Sequence, residues 1–277
     1  MGLDHTEVLG STVDQIARDN VGIFKRGGVV ISGVEQPSVK EIARDCADRV
    51  GAKLLILNDD IALNEVGREL IIEYGNHHLT VEVPCEWPRF QRRNAALAIV
   101  AAQAAEPAVE LSALGQGLRA VHLPGRFELF QESRRSVVLD GAHNRQKIFS
   151  TVERLRHTFP AAPCVGVVAI KEKRDVHAIL SELAPACQAL VLTTFRVGLW
   201  KATPPEELAA GLRAMRYRGK VLVEPDPTLA IEVALHEVPA TGVVLVTGSL
   251  CLAGNIRSRW IPPLEDVLHG TSFRLDS

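Results

Sequence analysis

Asp140, His143 and Asn144 crowd the stretch Asp140-Gly141-Ala142-His143-Asn144, directly after the apolar run Ser136 to Leu139 and just before a helical pattern from Gln146 to His157. A carboxylate, an imidazole and an amide on one strand-to-helix turn can do two things. Asp140 and Asn144 can cap the helix while His143 stays in solvent. Alternatively the turn can hold a nucleotide or an acyl phosphate, with Asp140 accepting from a ribose hydroxyl and His143 reaching a phosphate. Both readings stand on the turn alone. Upstream, Arg126 in Leu123-Pro124-Gly125-Arg126-Phe127-Glu128 follows a Pro-Gly turn, where a planar five-donor cation suits phosphate or ring contacts but is also an ordinary solvated linker residue. Gln91 and Asn94, three apart at the start of a helical stretch, share one face and either cap that helix or read an adenine edge.

The elements that must position these side chains follow from the apolar pattern. Ser136 to Leu139, Val165 to Ile170, Ala189 to Thr193, Lys220 to Val223 and Val243 to Val246 are continuous apolar runs, suited to strands covered on both faces. Helical spacings lie between and after them, at Gln146 to His157, Val176 to Leu183, Pro205 to Met215, Thr228 to His236 and Leu250 to Trp260. That alternation predicts a doubly wound, Rossmann-like α/β domain. Ligands of such sheets bind beyond the carboxyl ends of the strands, where the Asp140 to Asn144 turn falls. Arg126 lies close enough in sequence to Asp140 to place the two on neighbouring strands, with a cleft expected there at the junction of the two domains.

The N-terminal part reads as α/β as well. A helical spacing spans Thr12 to Phe24, and a strand at Val29 to Ser32, a helix from Ser38 and a strand at Leu54 to Leu57 form one unit. Glu69 to Tyr74 and His78 to Val83, joined through Gly75-Asn76, predict a hairpin. The alanine-rich Phe90 to Ala105 predicts a buried helix, and Pro107 to Leu114 a second one ended by Gly115-Gln116-Gly117. The domain boundary is expected near Val121 to Pro124.

Composition narrows the function classes. The 277 residues carry 31 Lys and Arg against 33 Asp and Glu, so no broad basic field exists for nucleic acid or an anionic membrane. The five cysteines show no paired spacing and read as reduced core thiols, consistent with a cytoplasmic protein and no zinc site. The first residues offer neither a basic nor an apolar targeting segment.

Seven motifs in order carry a resemblance: Gly2 to Gly10 with Thr12, Ile16 to Ile23, Gln91 to Ala98, Leu123 to Glu128, Asp140 to Asn144, Lys173 to Asp175, and Thr247 to Ser249. The chain resembles the folylpolyglutamate and dihydrofolate synthases of the Mur-ligase superfamily, ATP-dependent ligases that join glutamate to a folate or pteroate carboxylate through an acyl phosphate. The resemblance implies a remainder of the central ATPase domain over residues 1–120 and the Rossmann-like glutamate-ligase domain over 121–277. It implies ATP and Mg²⁺ as cofactors and glutamate and a folate-type acid as substrates. By motif position, Gln91, Asn94, Arg126, Asp140 and His143 contact ATP or place the acyl phosphate, Arg174 and Ser249 bind glutamate, and His5 is a metal ligand, with His143 and Arg174 the catalytic pair.

Three departures accompany it. No glycine-rich phosphate loop with a Lys-Ser pair occurs in these residues, so ATP binding is expected to be weak and the N-terminal sheet partial, open to a second copy or a partner chain. Asn20 stands where the family carries a lysine that becomes carbamylated, and the neighbouring Asp19 points about 100° away on the same helix. Arg145 and Arg174 replace the family's proline and lysine. A catalytically silent nucleotide- or partner-binding protein is the alternative these departures support.

Overall fold

The computed structural model describes residues 12–84, 87 and 89–262. The chain divides into two compact units, residues 1–121 and 122–277.

Unit 1 opens with helix α1 (Val13–Asn20), started by a capping box in which Thr12 and Gln15 bond reciprocally, and continues as a 3-10 turn over Val21–Ile23. Strand β1 (Val29–Ser32), helix α2 (Pro37–Val50) and strand β2 (Lys53–Ile56) form a strand-helix-strand unit in which β1 and β2 pair in parallel. Gly51, left-handed at φ 65°, stops α2 as expected. An antiparallel meander follows: β3 (Ile61–Val66), β4 (Glu69–Tyr74) and β5 (His77–Glu82). Sequence reading supplied β4 and β5 but missed β3, whose only buried residue is Ile61.

Helix α3 (Arg89–Ala105) is buried along one face, at Arg92, Ala95, Ala96, Ile99 and Val100, and not all round as its alanine content suggested. Helix α4 runs over Leu111–Ala120, so the expected span Pro107 to Leu114 is corrected and Gly115-Gln116-Gly117 lies inside the helix, not after it. Leu111, Leu114 and Leu118, spaced along one face, dock on the core of the meander, and that burial outweighs the glycines' poor propensity. Gly117 is exposed with open space where a Cβ would stand. Gly117→Ala is therefore expected to raise the urea midpoint of unit 1, by about 0.5–1 kcal/mol of stability; a lowered midpoint would contradict the helical placement.

Unit 2 is the doubly wound domain. Its six strands are β6 (Arg126–Glu132), β7 (Arg135–Asp140), β8 (Cys164–Val168), β9 (Ala189–Leu192), β10 (Lys220–Val223) and β11 (Val243–Thr247), in the order β10-β9-β8-β11-β7-β6. All pairings are parallel except β6 with β7. Helices α5 (Arg145–Thr158), α6 (Val176–Leu183) and α7 (Pro205–Ala214) cover one face, and α8 (Pro227–Glu237) and α9 (Leu250–Arg257) the other. Burial on both faces explains the unbroken apolar strands, Val137 to Leu139 and Val243 to Val246 being almost wholly inaccessible. Cys46, Cys164 and Cys187 are buried free thiols and Cys251 is half-buried.

Candidate functional site

The parallel strands of unit 2 end together at Asp140, Val168, Leu192, Val223 and Thr247, and β6, running the other way, begins at that same edge with Arg126. Arg126 and Asp140 are register partners on neighbouring strands, as their short separation in sequence suggested, and the Arg126 charge pulls the Asp140 carboxyl downward.

Asp140 is neither a helix cap nor an idle surface acid. One carboxylate oxygen accepts from the backbone N–H of Ala142 and from the Thr151 hydroxyl, both at 2.9 Å, and the other accepts from Phe127 N–H at 2.9 Å. Phe127 occupies a β-bulge with φ 54°, so the third bond holds a left-handed residue in place. An ionised carboxylate accepts about four hydrogen bonds. Three are made internally, and one position remains on the oxygen facing Phe127. Burial pushes the Asp140 carboxyl above its ordinary range, against the opposing pull of Thr151, the two amides and Arg126.

The sign of the resulting pH dependence follows. A carboxyl whose folded value is raised binds its proton more tightly in the native state, so its contribution to stability is greatest below the unfolded value of about 3.9 and is lost as pH rises through the raised folded value. Asp140→Asn cannot titrate and should remove that slope. In urea unfolding across this pH window, the stability of the variant relative to the wild type should increase with pH, whereas parallel curves would show that Asp140 does not titrate differently on folding.

Asn144, not Asp140, caps α5: its side-chain oxygen accepts from Lys147 N–H at 3.0 Å. His143 is half-buried, with Nδ1 2.8 Å from the Gly141 carbonyl oxygen and Nε2 3.0 Å from Lys147 Nζ. Arg145 donates to Glu182 on α6 at 2.7 Å. Across the edge, Ser249 is buried and caps α9 by accepting from Cys251 N–H at 3.1 Å. Gly248 N–H donates to the Ala142 carbonyl at 2.9 Å and ties this turn to the Asp140 turn. Gly141 N–H donates to the Gly125 carbonyl at 2.8 Å, tying in the Arg126 turn as well. A Cβ on Gly141 would stand 3.0 Å from the Leu250 backbone, so only glycine lets α9 seat there.

Arg174 sits on the loop after β8, half-buried, behind a left-handed Lys173 and ahead of Asp175, which caps α6 through Ala178 N–H. Lys171 on the same loop is turned onto the Trp200 ring, 3.1 Å from its centroid. Arg126, Asp140, His143, Arg174 and Ser249 thus share one edge of one sheet. Gln91 and Asn94 lie in unit 1 on the first turns of α3, half-buried and exposed respectively. His5 lies outside the described residues. Among the described residues no group of three His, Cys, Asp or Glu side chains is gathered to hold a metal ion.

Several side chains that build the site were not singled out from sequence. Glu128 is buried and accepts from Gly125 N–H at 2.9 Å, while the Arg257 Nε–H is shared between its two carboxylate oxygens, 2.9 Å from each, and His122 Nε2 lies 2.9 Å from one of them. It therefore clamps the Pro-Gly turn that presents Arg126 to helix α9. In unit 1, Arg92 donates to the carbonyls of Gly67 and Trp87, and Arg93 bonds Glu35 and the Gly33 carbonyl, so the arginines between Gln91 and Asn94 are structural.

Comparison with known proteins defines the class. Residues 125–250 match the family model described as Mur ligase, glutamate ligase domain, a span that opens at the Arg126 turn and ends beside Ser249. The chain is 28% identical over 271 residues to the dihydrofolate synthase/folylpolyglutamate synthase of Bacillus subtilis, covering 94% of this chain and 61% of that protein. The Mycobacterium tuberculosis folylpolyglutamate synthase solved with ADP is 26% identical with a TM-score of 0.77, covering 94% of this chain and 61% of that one. A bifunctional folylpolyglutamate synthase/dihydrofolate synthase solved with Mn, AMPPNP and L-glutamate is 25% identical with a TM-score of 0.77, over 94% and 60%. Unit 2 is a Mur-type glutamate-ligase fold. Residues 125–250 carry the Mur ligase glutamate ligase domain, and along its length the chain is similar to folylpolyglutamate and dihydrofolate synthases, of which it spans about three-fifths.

Proposed function

We propose that this chain supplies the nucleotide- and glutamate-handling part of an ATP-dependent ligase that joins glutamate to a folate- or pteroate-type carboxylate. The observation that carries this is the convergence of Arg126, Asp140, His143, Arg174 and Ser249 on one edge of the six-stranded sheet, where the Arg126, Asp140 and Ser249 turns are bonded to one another. ATP would phosphorylate the acid, and the glutamate amine would displace phosphate from the acyl phosphate. Asp140, with one acceptor position left beside three internal bonds, suits a ribose hydroxyl, and the neighbouring Arg126 suits a phosphate or the adenine ring. Arg174 supplies a planar cation for a glutamate carboxylate, and the Ser249 turn at the start of α9 adds a helix N-terminus of favourable polarity. Divalent metal is expected as the ATP counter-ion; the donors described here form no metal cage, and His5 is the family-matched ligand.

Asn20 favours a second reading, binding without phosphoryl transfer, because an amide side chain cannot form the carbamate that the matched lysine forms. β1 and β2, which among the described residues pair in parallel only with each other, are the place for a covering strand from a second copy or another chain. Titration calorimetry with MgADP on the wild type, Arg126→Ala and Asp140→Ala separates these ideas from a structural remnant. Heat lost in both variants supports the nucleotide site, and equal heats in all three proteins overturn it. Mass spectrometry for a glutamate-extended folate then distinguishes ligase from silent binder.

A further inference from the structure

Lysine at the third position of α5 needs a reason. The N-terminal end of a helix carries positive partial charge and disfavours a cation. Yet Lys147 is held there, its backbone N–H bonded to Asn144 and its Nζ 3.0 Å from His143 Nε2. The chemistry of the two partners fixes where the imidazole proton lies. A carbonyl oxygen only accepts, so Nδ1, 2.8 Å from Gly141 O, carries the hydrogen. An ammonium only donates, so Nε2 presents its lone pair to Lys147.

We propose that Lys147 is a positioning residue for His143 and carries the positive charge of this turn: it holds the imidazole as the neutral Nδ1–H tautomer and faces the incoming phosphate or carboxylate in its place. His143 then cannot donate through Nε2, and its part is to orient the ammonium. Asn144, Lys147, His143 and Gly141 form one continuous run of contacts, so the charge is fixed relative to the Asp140 carboxylate and the Gly248 turn. That an anion is the guest rests on the function proposed above; the tautomer does not.

The test uses the whole chain labelled with ¹⁵N-histidine, the His143 resonances being identified by their loss in His143→Asn. At neutral pH, long-range ¹H–¹⁵N spectra should show a protonated, pyrrole-type Nδ1 and a pyridine-type Nε2, opposite to the Nε2–H tautomer that a free histidine side chain prefers in water. Lys147→Met should shift the Nε2 resonance and weaken MgADP binding roughly tenfold, and Lys147→Arg should recover affinity to within about threefold of the wild type, as expected for one charge-assisted contact. A wild-type ring protonated at Nε2 overturns the proposal, as does an Nε2 resonance unmoved by Lys147→Met or an MgADP affinity that this variant leaves unchanged. Should the tautomer be as expected while the wild type itself binds no MgADP, the nucleotide site falls and the positioning of His143 by Lys147 stands.

Discussion

Arg257→Met is expected to cost unit 2 about 3–5 kcal/mol, because it leaves the Glu128 carboxylate buried without its counter-ion. Both side chains are about 5% exposed, and Arg257 Nε lies 2.9 Å from each carboxylate oxygen. Glu128 would retain Gly125 N–H and His122, but hydrogen bonds alone do not compensate a carboxylate removed from water. Glu128→Leu combined with Arg257→Met should recover a large part of the loss, since two apolar side chains of similar volume bury no charge. Recovery should remain incomplete because Gly125 N–H loses its acceptor, worth about 1–3 kcal/mol when buried. Urea unfolding of both single variants and the double variant measures the coupling. A single-variant cost below about 1 kcal/mol would mean that solvent reaches the pair. The double variant should also bind MgADP more weakly than its stability predicts, since the clamp on the Arg126 turn is gone.

How far the sequence disclosed this arrangement depends on what sets each element. In unit 2 the buried parallel strands are apolar whatever their neighbours do, so β10 and α6 fall on the expected residues and the others shift by a residue or a few at their ends. That Arg126 and Asp140 lie on neighbouring strands followed from their short separation in the chain, whereas their residue register did not. Strand β6 was hidden by its bulge: Phe127 and Glu128 are both buried, which breaks the alternation that marks a half-buried strand. β3 was hidden for the opposite reason, an edge strand with little to bury. In α4 the glycines punctuated the sequence, and only docking on the meander made the segment helical. Within the site, residue types marked Asp140 and Asn144 as polar turn residues, but which one caps the helix depends on backbone geometry. Glu128 lay inside a quoted motif without a role, because its partner Arg257 is distant in sequence. Lys147 could have been noticed as a cation in the first turn of a helix, a placement the helix dipole opposes.

Gly248→Ala should be nearly as damaging as loss of the ion pair, and its effect on binding should exceed its effect on folding. Gly248 has φ 94°, a conformation L side chains rarely adopt, and a Cβ there would stand 2.6 Å from the Ala169 carbonyl oxygen and 3.2 Å from its carbon. The first term costs about 1–3 kcal/mol as backbone strain. The second cannot be relieved by a side-chain rotation, because the obstacle is the backbone just beyond β8. The β11 to α9 turn must therefore move, which strains or breaks the Gly248 N–H bond to Ala142 and lifts Leu250 from Gly141. Ser249 moves with it, away from the Asp140 to Asn144 turn. A total near 3 kcal/mol is expected in urea unfolding, together with at least a tenfold loss of MgADP affinity at a temperature where the variant is fully folded. Since Gly254 on α9 has open space around its Cβ position, Gly254→Ala is the control: as at Gly117 it should raise stability by about 0.5–1 kcal/mol, and it should leave MgADP affinity unchanged. If Gly248→Ala unfolds no earlier than that control, the close approach of this turn to Ala169 is absent in solution, and the bond that joins the Thr247 to Ser249 turn to the Asp140 turn is not what aligns the edge.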